Sequence, residues 1–211
     1  MPDAATLLVF ALAGLALVAV PGPNLIYIAT RSVSQGRRHG IVSALGVELG
    51  TLIHIAEATV GLSALIASSA LAFDVVKYAG AAYLIWLGIR TMRRADADLL
   101  AATAKPAPLR RTFAEGVVVN VLNPKVALFF LAFLPQFVDP DKAAAPQIAV
   151  LGLILFALGT TMDFLWAFGA AALRGTLQRR PAYVARQRFV TGGIYFALGA
   201  GAALTGGRHT S

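Results

Sequence analysis

Five ionisable side chains sit inside otherwise apolar stretches of this 211-residue chain: Glu48, His54, Glu57, Lys125 and Asp163. A charge at mid-bilayer costs at least ~2.5–3.5 kcal/mol on insertion scales, so such residues face a bundle interior or water. At ~1.5 Å of rise per residue from the basic helix ends, Glu48 lies ~14 Å deep, Asp163 ~15 Å and Lys125 ~18 Å. Two acids and one base at one level can pair if their faces meet. A structural ion pair is the plainer reading of Lys125 with Asp163. His54 suits either a hydrogen-bonded packing role or proton coupling, and Glu57, nearer the outer end, can reach water. Mid-membrane Glu, His and Asp are the usual material of proton relays.

The elements that must hold these groups are membrane helices. Hydrophobic residues make up 58% of the chain and charged residues 13%, against roughly 45–50% and ~25% in soluble domains. Apolar runs long enough to cross a bilayer (~20 residues) lie at about 4–29, 40–68, 71–90, 113–138, 147–173 and 189–206. The expected fold is an all-α membrane protein with six transmembrane helices. A short link at Ser68-Ser69 leaves a fused second and third span, hence five, as the competing count. Met1-Pro2-Asp3 lacks the basic start of a signal peptide, so the first run reads as a retained helix. There is no cysteine, which excludes disulfide scaffolds and thiolate metal sites.

Charge sorts with six spans. Arg31, Arg37 and Arg38 fall in the first connection, and Arg90, Arg93, Arg94, Lys105, Arg110 and Arg111 in the third. Arg174, Arg179, Arg180, Arg186 and Arg188 fall in the fifth, and only Lys77, Lys142 and Arg208 lie on the other side. The positive-inside rule then makes the odd connections cytoplasmic and both termini external. The same placement argues against nucleic acid as the partner of the +8 net charge, because the basic residues bracket apolar runs and form no exposed soluble face.

Three spans on each side of a linker at about 93–112 imply one domain over 1–211, built from repeats at about 1–92 and 113–211. Their opposite entry directions make the repeats inverted. The first span of each repeat is interrupted, by Pro21-Gly22-Pro23-Asn24 and by Asn123-Pro124. The third spans align without gaps, Lys77 to Gly88 against Arg188 to Gly199. Proline removes an N–H and displaces the carbonyl one turn earlier. In hydrocarbon such freed groups need protein or water, so paired breaks point to a central site; a simple proline kink is the alternative for either break alone. In the second span, Gly46, Gly50, His54, Glu57 and Gly61 fall within about 80° of one another, and Glu48 points nearly the opposite way.

These motifs in this order resemble the LysE/RhtB family of bacterial amino-acid exporters over nearly the whole chain. The resemblance rests on Pro21-Gly22-Pro23-Asn24, Ser34-Gln35-Gly36, Gly46-x3-Gly50-x3-His54, and Lys77 to Ile89, which looks like the homoserine/threonine branch. Asn120-Val-Leu-Asn123-Pro124-Lys125 leading to Phe133-Leu134-Pro135-Gln136-Phe137 completes it. The resemblance implies an inner-membrane exporter of amino acids or close derivatives, driven by the proton gradient. It puts Pro23, Asn24, Asn123, Pro124, Lys125 and Asp163 on the family's motif positions, and these with Asn120 form the candidate substrate site. Their ionisable chemistry inside the membrane, not the resemblance, makes His54, Glu48 and Glu57 the candidates for proton coupling. Glu48 and Glu57 depart from the homoserine-like pattern, where neutral residues are expected.

The expected partners are an amino-acid substrate, protons and the lipid bilayer, with no cofactor and no nucleic acid; the sequence leaves a homo-oligomer open. The competing cargo is a metal or organic cation, although three histidines and no cysteine make a poor soft-metal site. No Walker loop supports ATP-driven transport. No nucleophile with a base assembles for an enzyme, and nothing resembles a channel filter.

Overall fold

In the computed structural model, residues 2–64, 107–139 and 141–172 are described, with isolated helical positions between 75 and 89 and at 196 and 200. Apart from those isolated positions, the expected third and sixth spans, which are the aligned pair, lie outside the described residues, as do the Ser68-Ser69 link, most of the linker and the fifth connection.

Helix α1 (Ala4–Ala19) starts where the Asp3 carboxylate accepts the Thr6 N–H at 2.7 Å. It stops before Pro21, because the residue preceding proline is driven out of the helical region; Val20 is extended at φ −72°, ψ 121°. Helix α2 (Pro23–Gln35) restarts with proline in its first turn, where a missing N–H costs nothing, and bends 49° from α1. It ends at Gly36, whose φ of +89° favours glycine. Helix α3 (Arg37–Glu57) continues through a π turn at Ala58–Leu62.

After Pro108, α4 (Leu109–Val121) leads to Asn123, whose side chain accepts the Lys125 N–H at 3.1 Å and caps α5 (Pro124–Leu128). A π turn (Phe129–Phe133) and a 3₁₀ turn (Leu134–Phe137) follow, then α6 (Ala144–Ala172). Arg37–Leu62, Leu109–Phe137 and Ala144–Ala172 are each long and apolar enough to cross a membrane, and α1 with α2 passes as one bent span. The described part of the chain is thus helical, with three or four apolar crossings.

Without a hydrophobic force between lipid-bathed helices, close approach depends on small residues. The α3–α4 contact shows this: a Cβ on Gly116 would lie 2.8 Å from the Ser43 carbonyl oxygen, and one on Gly50 would lie 2.7 Å from the Asn120 Cβ. The stripe expected on α3 therefore meets α4 at Gly46, Gly50 and His54, and stops there, since nothing lies within 4 Å of a Cβ on Gly61. On the far side of α3, Glu48 faces α6, where Gly159 leaves it room. The apolar core gathers Phe10, Phe129, Phe130 and Phe133 with Ile148, Leu151 and Leu155. Leu8, Leu12, Leu49, Leu153 and Leu165 stay exposed, as lipid-facing positions require.

The bundle's two ends differ chemically. At one, the Arg37 guanidinium stands 4.3 Å over the Phe168 ring, and His39 bridges the carbonyls of Gln35 and Ala107. Arg31 also lies towards this end, but it is buried within α2 and does not stand in the first connection, where its charge alone would place it. The reason is Glu115 on α4, which pairs with both Arg31 and Arg111. At the other end the fully buried Gln147 amide accepts from the Asp139 N–H and donates to the carbonyls of Asp139 and Ala143. Lys142 bonds Asp139 at 2.6 Å, which holds the Asp139 carboxyl below its ordinary range, helped by the Asp141 N–H.

Candidate substrate site

The two chain breaks meet. Asn24, in the first turn of α2, donates to the Asn120 Oδ1 at 2.8 Å, and its own Oδ1 accepts from the Asn123 Nδ2 at 2.9 Å. Asn120, fully buried at the end of α4, spends its amide hydrogens on the Val47 carbonyl at 2.5 Å and Thr51 Oγ1 at 2.8 Å. Three asparagines therefore knit α2, α3, α4 and α5 together where the helical ladders fail. A buried polar network of this kind is stabilising only when nearly every member is satisfied, and here each amide donates at least one hydrogen bond.

Lys125 closes the arrangement. Its ammonium donates to the carbonyl oxygens of Leu17 and Val20, both at 2.8 Å. These are acceptors exposed by the proline break that ends α1. The cation at the second break thus satisfies the backbone freed at the first, as the matched proline clusters would require. Pro23 and Pro124 take no part through their side chains; each starts the helix after its break.

Between these groups lies a cavity of about 60 Å³. Gly22, Asn24 and Leu25 present the start of α2 to it, a terminus with no side-chain cap. Lys125, Asp163 and Glu48 line it together, so the three charges placed at one depth by helix rise do share one space. Asp163 is 6% exposed and lies within electrostatic reach of Lys125. Glu48, 5% exposed, lies beside Asp163, and its Oε2 takes no hydrogen bond.

His54 and Glu57 are elsewhere. The His54 Nε2 bonds the Asn120 carbonyl at 3.1 Å, its ring stacks on Phe130, and its Nδ1 stands 3.4 Å from the Glu57 carboxylate. Glu57 is 63% exposed on its side chain. This pair touches the asparagine network from behind and does not line the cavity.

Sequence reasoning missed Thr51, the carbonyls of Leu17 and Val20, and the pair Arg31–Glu115. The first two carry no unusual residue type. Glu115 had a signal, as an acid within the first two turns of a span entered from a basic connection. Tyr27 adds to that pair by donating to the Thr112 carbonyl at 2.7 Å and to Glu115 at 3.3 Å.

A family model described as LysE type translocator matches residues 15–204. The chain belongs to the LysE family. It is therefore a multi-pass membrane transporter, as its apolar helices require. An uncharacterised membrane protein of Vibrio cholerae is 35% identical over 184 residues, 85% of this chain and 87% of that protein. The homoserine/homoserine lactone efflux protein of Salmonella typhimurium is 41% identical over 133 residues, 63% of this chain and 65% of that protein. A leucine efflux protein of Salmonella choleraesuis is 33% identical over 150 residues, 71% of this chain and 68% of that protein. No solved structure matches the chain.

Proposed function

We propose that this LysE-family chain exports amino acids or close derivatives across the bacterial inner membrane by proton antiport. Six spans form two inverted three-helix repeats, at about 1–92 and 113–211, with a cytoplasmic linker at about 93–112 and both termini outside. The observation that carries the reading is the meeting of both proline breaks at one cavity lined by Lys125, Asp163 and Glu48. A zwitterion fits that chemistry. Its carboxylate is drawn to the uncapped start of α2 and to Lys125, and its ammonium to Asp163.

Asn24, Asn120 and Asn123 hold the two breaks in register around the substrate, and Pro23 and Pro124 set the half-helix starts. His54 and Glu57 give the coupling proton its route towards the outer end, and Glu48 is the carboxyl that stands beside the substrate. A cavity of about 60 Å³ is smaller than ordinary ligand pockets of ~300–1,000 Å³. Substrate entry therefore requires the helices to part, which supports alternating access of the repeats. The Salmonella relatives, named for efflux of homoserine, its lactone and leucine, favour a small neutral side chain.

Counterflow of radiolabelled leucine and homoserine in proteoliposomes with an imposed pH gradient tests this. Flux that responds to the gradient and collapses in Asp163→Asn and Lys125→Gln is the expected result. Unchanged flux in both variants removes those residues from the mechanism, and growth protection against metals in place of amino-acid analogues would favour the other cargo.

A further inference from the structure

Among the described residues, the charges lining the cavity do not balance. Lys125 brings one positive charge, while Asp163 and Glu48 bring two carboxyl groups side by side. The Lys125 ammonium is already held by the carbonyl oxygens of Leu17 and Val20 and serves Asp163. Glu48 has no such partner among the described residues. From α6 it faces Asp163 and Thr160, from α5 the only charge is Lys125, and α1 and α2 offer Leu17, Val18 and Asn24, none of them ionisable. Its Oε2 is buried without a hydrogen-bond donor, in a cavity where Gly159 leaves the carboxyl space: a Cβ there would stand 3.4 Å from Oε1. An uncompensated charge in such surroundings is costly, so among the described residues one positive charge is missing, and Glu48 is where it belongs.

We infer that Glu48 is a specificity-determining residue that takes either one proton or the cationic head of a substrate with net charge +1. A zwitterion adds no net charge, so it shares the cavity with a protonated Glu48. An amine whose carboxyl is masked as an amide, ester or lactone supplies the missing charge itself and displaces the proton. Losing the substrate carboxylate does not orphan Lys125, whose donors already have backbone acceptors. The inference rests on the amino-acid export reading and specifies how its site tells neutral from cationic cargo.

The test uses the purified full chain in detergent at pH 6.5, where an α-amino group with pKa about 7.7–8.0 stays protonated. L-leucine and L-leucinamide, near-isosteric and differing by one charge, are titrated calorimetrically in buffers of different ionisation enthalpy to count protons. Leucinamide is expected to release close to one proton per site and leucine close to none. Glu48→Gln is expected to weaken leucinamide at least tenfold relative to leucine and to abolish the release, and Glu48→Asp to keep it. Equal proton counts for the two ligands, or an unchanged affinity ratio in Glu48→Gln, would overturn the inference. Failure of the wild type to bind either ligand would instead overturn the export reading, and this inference with it.

Discussion

Replacing Lys125 with methionine keeps the length of the side chain and removes its charge and donors. Two backbone carbonyls are affected. The Leu17 oxygen retains the Val20 N–H at 3.2 Å, but the Val20 oxygen loses the Lys125 donor. A buried acceptor left unsatisfied costs ~1–3 kcal/mol. Asp163, 6% exposed, loses the Lys125 cation, the one near it among the described residues, and breaking a buried charge pair from one side costs ~3–5 kcal/mol. Because Asp163 can take up a proton and relieve part of that, the total is about 3–5 kcal/mol, not the full sum. At ~2–4 °C per kcal/mol for a chain of this size, the melting temperature in detergent should fall by roughly 6–20 °C. The diagnostic is the double variant Lys125→Met with Asp163→Asn. If the two groups compensate each other, the second substitution recovers part of the loss, with a coupling of ~0.5–3 kcal/mol. A Lys125→Met protein that melts like the wild type, or strictly additive losses, would refute the reasoning.

Gly116→Ala puts a Cβ 2.8 Å from a backbone oxygen of α3 and should cost ~1–3 kcal/mol by overpacking; Gly61→Ala, with nothing within 4 Å, should be neutral or gain up to ~1 kcal/mol of helix propensity. Thermal unfolding of the pair checks both. Arg31→Met should destabilise by about 1–2 kcal/mol, below the ~3–5 of a wholly buried pair, because its partner Glu115 is 31% exposed; Glu115→Gln in the Arg31→Met background should then add little. The lowered Asp139 carboxyl contributes stability that is fully present above the ordinary aspartate value of about 3.9 and is lost as pH falls through its own lower value. Stability should therefore lose this contribution only on acidification below about pH 4, and Asp139→Asn should remove that acid limb in a pH series of melting curves.

Several of these features were readable in the sequence because they break a rule that membrane helices otherwise keep. Proline inside an apolar run marks a backbone that must find other partners, so both breaks were visible, and helix rise alone put Glu48, Lys125 and Asp163 at one level. The glycine stripe on α3 was legible from 3.6-residue periodicity as far as His54, and failed at Gly61 because the contact with α4 ends there. What remained hidden depends on the partner helix. That Lys125 would seek the Leu17 and Val20 carbonyls, and not Asp163 alone, follows from the bend between α1 and α2, which no local pattern encodes. Arg31 looked like a topological charge because its partner, Glu115, is distant in the sequence.

The central claim is that substrate sits in the cavity where the two breaks meet, against the Asn24–Asn123 contact. The chain has no cysteine of its own, so Asn24→Cys with Asn123→Cys gives a clean pair for a short bifunctional thiol reagent. The account predicts rapid cross-linking of the pair in membranes, slowed in a saturable way by an amino acid that the wild-type protein transports. Cross-linking that no transported amino acid affects, or a pair that fails to cross-link while the variant still transports, would contradict it.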